Sequence, residues 1–464
     1  MAGIGFTLRN LARSDRPFGS TRAYSYATFL VAGPWLFTVL ALAGVSFSVT
    51  SDTSWAQLQN FRSVIIYNFC LSLILTGPVV LLLTRYVADQ IFSRDKRRVM
   101  FSLVCSLACV GALTCLAAAP LYILGTTLDP AVRLFAVFNF GLISAIWIVV
   151  PYVSILKNYR SVTNAFGLGA ASAIAMTLLF SSYLDDAALL VVFNFSLSVI
   201  LFFVVRCILR EYPAELHFDT EWRVFLRTRW EVAGIGLLYY LGIWADKLIM
   251  WFSGHEGTIV VGGLLYTLPA YDSAMFKAQL LAIPAFVVFF VHIETGFYSS
   301  FRKLYSSFEN HATQSDIDAQ IHKLGNFILS HLFYVMLFLC LISAAIIMAL
   351  PLIYQHIGVV AMQIGIFRTG LIGTALHTTF LFCIIFLLYF DLRKLVLMLT
   401  AAFFVLNVVF TTALLPMGLS YMGFGYLLAG AVSLALAVTV LLRELPWLTF
   451  HAFVTNNDSL RDSV

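Results

Sequence analysis

The chain is short of charge. Only 11% of its 464 residues are Asp, Glu, Lys or Arg, where soluble domains run at about 25%. With 61% hydrophobic positions and a mean hydropathy of +0.92, it cannot both fill an interior and coat a globule of this size against water. A soluble enzyme, a nucleic-acid reader and a disordered scaffold are excluded, and the lipid bilayer is the expected surrounding. Paired cysteine spacing is also missing: Cys70, Cys105, Cys109, Cys115, Cys207, Cys340 and Cys383 each fall in or at the edge of an apolar run, so neither a disulfide framework nor a zinc or redox site is expected. There is no phosphate-binding loop of the G-x-x-x-x-G-K type, and His255-Glu256 lacks the second histidine of a zinc helix. The carboxylate pair Asp185-Asp186 stands in a short loop without a companion base. No interval between apolar runs exceeds about 25 residues, too few for an independent soluble core. The expectation is a protein without catalytic residues, cofactor or metal, and without a nucleic-acid partner.

Long apolar runs are what the chain has in quantity. A helix rising 1.5 Å per residue needs about 20 apolar residues to cross about 30 Å of hydrocarbon. That ruler places spans at 24–49, 63–84, 99–124, 134–156, 162–183, 187–206, 232–253, 276–300, 326–350, 366–390, 395–415 and 422–442. A β-barrel would alternate apolar with polar residues, whereas these runs are apolar on every face. Of the 28 Lys and Arg, 23 fall in the segments that lie inside if the N-terminus is cytoplasmic, and only Arg62, Arg133, Lys247, Lys277 and Arg368 remain for the outer side or outer depth. The bias of basic residues towards the cytoplasm then places both termini there. The run from Tyr24 is too long for a signal-peptide core and follows four arginines, so it reads as an uncleaved first span.

The expected fold is all-α: an integral membrane protein of twelve transmembrane helices in two six-helix lobes. An N-terminal lobe, 1–206, opens with a short amphipathic helix near 3–16. A basic cytoplasmic interfacial linker, 207–230, places Asp219, Arg223 and Arg227 on one helical stripe and Trp222, Leu226 and Trp230 on another. A C-terminal lobe, 231–464, follows, with Ser315 and Asp318 read as the cap of a cytoplasmic helix preceding Leu324. Six spans plus six, with no nucleotide motif, is the pattern of a secondary-type transporter, with its passage expected between the lobes.

Ionisable groups at membrane depth are costly and mark function or pairing. The run from Val232 to Ala245 is about 21 Å of helix, too short to have crossed, so Asp246 and Lys247 are expected in the outer third of the bilayer. Tyr239, Gly242 and Asp246 share a face. An Asp–Lys pair anchored in the aromatic belt of Trp244 and Trp251 is the bland alternative. Tyr271, Asp272, Lys277 and Glu294 make the next polar stretch, and Pro284 is expected to kink the eighth span between them. Arg368 lies near the outer end of the tenth span, where its side chain can reach the interface. Gly370, Gly373 and His377 share a face there, a pattern of close helix packing with an interior histidine. Asp246, Lys247, Tyr239, Asp272, Tyr271, Lys277, Glu294 and Arg368 are the candidates for a substrate pathway.

Met1-Ala2-Gly3-Ile4-Gly5-Phe6 followed by Leu8-Arg9, then Gly33-Pro34-Trp35, Tyr271-Asp272-Ser273-Ala274, Ile283-Pro284 and Glu294-Thr295 ahead of Phe297-Tyr298, resemble the PelG family. These are inner-membrane transporters of the Pel exopolysaccharide system, distant relatives of the Wzx-type and other multidrug/oligosaccharidyl-lipid/polysaccharide (MOP) exporters. The resemblance runs from the first residue to the last span. It implies a bacterial inner-membrane protein that exports an N-acetylgalactosamine-rich polysaccharide made at the cytoplasmic face by the PelF glycosyltransferase, in a complex with the membrane partners PelD and PelE. A neutral sugar chain is met by stacking faces and hydrogen bonds, which Tyr239, Tyr240, Trp244, Tyr266 and Tyr271 can offer. A lipid-linked oligosaccharide flippase, a drug antiporter of the same superfamily and a non-transporting platform for a glycosyltransferase complex stand as alternatives.

Overall fold

In lipid every backbone donor and acceptor must be satisfied within its own segment, so apolar runs fold as helices. The computed structural model describes residues 55–92, 97–155, 159–180, 185–212, 221–310, 312–354, 363–418 and 421–450. Among them eleven helical segments are long and apolar enough to cross a bilayer, in register with the second to twelfth expected spans. The expected first span, the amphipathic start, the motifs before Trp35, and Asp219 in the linker lie outside the described residues.

Contacts divide the chain into two units. The first, by its described residues, comprises 55–244 and 250–269; the second comprises 245–249 and 270–450. The sequence division at 207–230 follows loop charge, whereas contacts assign the next helix partly to each unit.

The first unit is built from α1 (Trp55–Phe92), α2 (Arg97–Leu113), α3 (Pro130–Ile155), α4 (Tyr159–Leu179), α5 (Asp186–Glu211), the short α6 (Glu221–Thr228) and most of α7 (Trp230–Trp251). α3 packs against α1 and α5, and α4 against α5. After α2 the chain widens into two π turns, Thr114–Ala118 and Pro120–Leu124. Pro120 has no N–H for an i−4 bond, and the Ala119 and Gly125 amides reach back five residues, to Thr114 and Pro120. The Asp185-Asp186 pair starts α5: Asp185 accepts from the Ala188 amide at 2.7 Å, and Asp186 accepts from Asn60 Nδ2 at 2.8 Å. A hairpin, β1 (Ile259–Val261) antiparallel to β2 (Leu265–Thr267), sets Val261 opposite Leu265. Its turn holds Gly262 and Gly263 at positive φ, which side chains resist. Tyr67 of α1 fastens it, donating its hydroxyl to the Tyr266 carbonyl and accepting from the Tyr266 amide, both at 2.9 Å.

A ladder of uncharged amides runs through this unit. The Tyr122 hydroxyl donates to Asn68 Oδ1 at 2.7 Å; Asn68 Nδ2 donates to the Ala136 carbonyl and to Asn139 Oδ1 at 3.0 and 2.9 Å. Asn139 Nδ2 then donates to Asn194 Oδ1 at 2.7 Å, and Asn194 Nδ2 to the Phe135 carbonyl at 3.0 Å. All four side chains are buried, and the bonds join α1, α3, α5 and the second π turn. Asn139→Leu strands a donor on Asn68 and the acceptor on Asn194, so it is expected to destabilise by about 1–3 kcal/mol. The thermal midpoint of the detergent-purified protein checks this, and an unchanged midpoint would remove the ladder from the stability of the unit.

The second unit, besides 245–249 of α7, holds α8 (Pro269–Gln279), α9 (Ala282–His292), α10 (Tyr298–Glu309), α11 (Gln314–Ile353), α12 (Ile364–Tyr389), α13 (Arg393–Leu414), α14 (Phe424–Glu444) and α15 (Leu448–Phe450). α14 packs along both α12 and α13. The eighth span is broken between α8 and α9. The ring of Pro284 excludes the carbonyl four residues back, and the Leu280 oxygen accepts instead from the Ile283 amide at 3.1 Å. α11 starts earlier than the expected cap at Ser315 and Asp318. Thr313, extended at ψ 152°, accepts from the Asp316 amide at 3.3 Å and donates to Asp316 Oδ2 at 2.6 Å. The helix then runs unbroken for 40 residues, so the segment before Leu324 is its first turns and not a separate helix.

Candidate functional site

The sequence neighbours Asp246 and Lys247 point in different directions from α7, since adjacent helical residues do not face each other. The lysine stem nevertheless folds back to place Nζ 3.3 and 3.2 Å from the two carboxylate oxygens. α8 brings Tyr271, whose hydroxyl donates to Asp246 Oδ2 at 2.6 Å. α13 brings Asn407, whose Nδ2 donates to Asp246 Oδ1 at 3.5 Å while its Oδ1 accepts from Thr411 at 3.1 Å. The Lys247 ammonium stands 5.7 Å from the ring centroid of Tyr426 on α14, within cation–π range. Tyr426 in turn lies 5.6 Å from His377 of α12, and His377 stacks on Phe403 at 4.8 Å. Gly373 leaves the space for this: a Cβ there would come within 2.8 Å of the Tyr426 ring.

Asp246 is 0% exposed and Lys247 5%. The pair was expected at membrane depth as part of a substrate pathway; the structure encloses it within the helices of the second unit. The reason is chemical: donors from α7, α8 and α13 take up the carboxylate oxygens and an aromatic face lies over the ammonium, so protein groups do the solvation that water would otherwise supply. A buried ion pair with filled hydrogen bonds is tolerated, and is severely destabilised when one partner is lost. The cluster ties this part of α7 to α8, α13 and α14, and neither charge is exposed.

The other candidates are dispersed. Tyr239 is half-buried in the first unit, its ring edge-on to Tyr240 at 5.6 Å. Asp272 and Lys277 are half-buried on α8, and Arg368 is exposed on α12. Glu294 belongs to the π turn Ile293–Phe297, and its side chain lies outside what is described. Pro284 breaks the span as above. The structure therefore joins Asp246, Lys247 and Tyr271 and adds Asn407, Thr411 and Tyr426, which charge-based reading passed over. The signal for Asn407 was available: an amide inside an apolar span costs free energy unless bonded, and Asn68, Asn139, Asn194 and Asn407 all sit in spans. Among the described residues no three His, Cys, Asp or Glu gather in a way that could hold a metal ion.

Residues 1–453 match the family described as "PelG: Putative exopolysaccharide Exporter (EPS-E)". Solved structures share the architecture. A MATE protein in its straight conformation superposes with a TM-score of 0.67 at 14% identity. A MOP superfamily transporter from Pyrococcus furiosus, described by a binding pocket of reverse polarity, gives 0.66 at 14%. A multidrug resistance MATE family transporter in its outward-facing conformation gives 0.64 at 15%. Each alignment covers 97% of this chain and 99% of the other, and at these identities the likeness is one of fold. Comparison with curated proteins gives no match.

Proposed function

The chain belongs to the PelG family of exopolysaccharide exporters, and on that premise we propose that it carries a Pel-like, N-acetylgalactosamine-rich polysaccharide from the cytoplasmic face of the bacterial inner membrane to the periplasm. The family match over nearly the whole chain carries this reading. The electrostatics agree with a neutral polymer. Among the described residues Lys247 is the single buried Lys or Arg, and Asp246 neutralises it. A lipid-pyrophosphate headgroup would call for several converging cations. The polymer is supplied by a PelF-like glycosyltransferase, with PelD-like and PelE-like membrane partners holding the assembly, and half-exposed tyrosines such as Tyr239 and Tyr266 offer stacking faces along the route.

The test is transport itself. In cells that synthesise the polymer, removing this chain should leave polymer accumulating on the cytoplasmic side, and the purified protein in vesicles should move labelled N-acetylgalactosamine oligomers that carry no lipid. Unimpaired secretion without the chain, or movement only of lipid-linked sugars, would overturn the reading in favour of a platform or a flippase respectively.

A further inference from the structure

α3 and α5 are pinned together by the bond between Asn139 and Asn194. One turn further along, a groove of about 600 Å³ opens at Leu142 and Ser198 and descends past Phe202 and Val205 to Arg206 and Arg210. From Ser198 to Arg210 is about 18 Å of helix, close to the depth of one leaflet given about 30 Å of hydrocarbon across both. The upper groove makes no polar demand, because the Ser198 hydroxyl is committed to the Asn194 carbonyl at 2.8 Å. Phe202, on its wall, is exposed. At the foot, Arg206 and Arg210 lie one helical turn apart in the closing turns of α5, both exposed. Neither has an ion pair among the described residues, and the adjacent Glu211 pairs with neither.

We infer that this groove is a binding site for one anionic phospholipid, an acyl chain lying along α5 and its phosphate held between Arg206 and Arg210. The surface is apolar where a tail would lie and cationic only where a headgroup would sit. Two arginines one turn apart offer a phosphate a fork of donors, and basic clefts between spans on the cytoplasmic side are where acidic lipid headgroups collect. A zwitterionic lipid supplies the tail without the net charge; a free phosphate supplies the charge without the tail. The site lies beside the amide ladder, so its occupant stabilises the α3–α5 pair and makes the stability of the protein depend on membrane composition.

The full chain, purified and stripped of lipid in detergent, tests this through its thermal midpoint, titrated with dioleoyl-phosphatidylglycerol, dioleoyl-phosphatidylcholine, dihexanoyl-phosphatidylglycerol and inorganic phosphate. The long-chain anionic lipid is expected to raise the midpoint with an apparent Kd at least tenfold tighter than its zwitterionic counterpart, with little effect from the short-chain lipid or phosphate. R206Q/R210Q is expected to erase the tenfold preference, and V205W, which fills the groove with both arginines intact, to weaken the long-chain lipid equally. Equal affinity for the two headgroups, the same shift from phosphate alone, an undiminished preference in R206Q/R210Q, or undiminished long-chain affinity in V205W would overturn the inference.

Discussion

Asp246→Ala is expected to cost about 3–5 kcal/mol of stability, the range for breaking a buried ion pair by deleting one partner. The loss arises less from the vanished attraction than from what stays behind: a Lys247 ammonium at 5% exposure facing the ring of Tyr426 without the Asp246 carboxylate, and a Tyr271 hydroxyl and an Asn407 amide without that acceptor. Lys247→Met should be milder, since Tyr271 and Asn407 still donate to the carboxylate. Tyr271→Phe removes one hydrogen bond to a charged group, worth about 1.5–3 kcal/mol. Removing both charges together, as Asp246→Leu with Lys247→Met, should recover most of what the single changes lose, because apolar replacements of similar volume often match a buried pair in stability. Midpoints of the purified variants and secreted polymer per unit of membrane protein measure the two consequences separately. If the double variant regains stability but secretes no polymer, the pair serves transport beyond packing. Single variants as stable as the parent would show that the charges are solvated in some other way than the geometry indicates.

Gly236→Ala should be nearly as damaging, for a steric reason. α1 and α7 cross backbone to backbone, and a Cβ at Gly236 would stand 2.5 Å from the Gly77 carbonyl oxygen and 2.8 Å from its carbon. Main-chain atoms cannot rotate away, so the helices must separate, at the upper end of the about 1–3 kcal/mol typical of overpacking. The reverse substitution is gentler. A Cβ at Gly77 meets chiefly the Tyr240 ring, and a side chain can move. Tyr240→Leu is accordingly expected to rescue Gly77→Ala and to leave Gly236→Ala unrelieved, as read by thermal midpoint and by the yield of folded protein. Rescue of both, or of neither, would mean that the crossing is not set by these contacts.

The two sites differ in how much of them could be read from residue order. Asp246 and Lys247 announce themselves because charge in a span is expensive, and Pro284 because its ring forbids one carbonyl. Even there, the break falls at Leu280–Leu281, displaced towards the carbonyl that the ring excludes. Asn407 follows Asp246 by 161 residues, and no periodicity links them. Gly77 and Gly236 are ordinary small residues in their own helices until the helices are crossed. The cap of α11 moved from Ser315 to Thr313 because a hydroxyl caps only from an extended backbone, which residue type alone does not specify.

The residues by themselves determined that this chain lives in lipid, how its apolar runs divide into spans, and that its cost in charge concentrates at one point of α7. Those follow from local quantities: apolar length against bilayer thickness, and the free energy of stranding an ion. Which groups answer that ion, which amides lock α1, α3 and α5, and where two helices touch without side chains between them were decided by tertiary packing. Such contacts depend on the distance between segments far apart in the chain, and only the folded arrangement sets that distance.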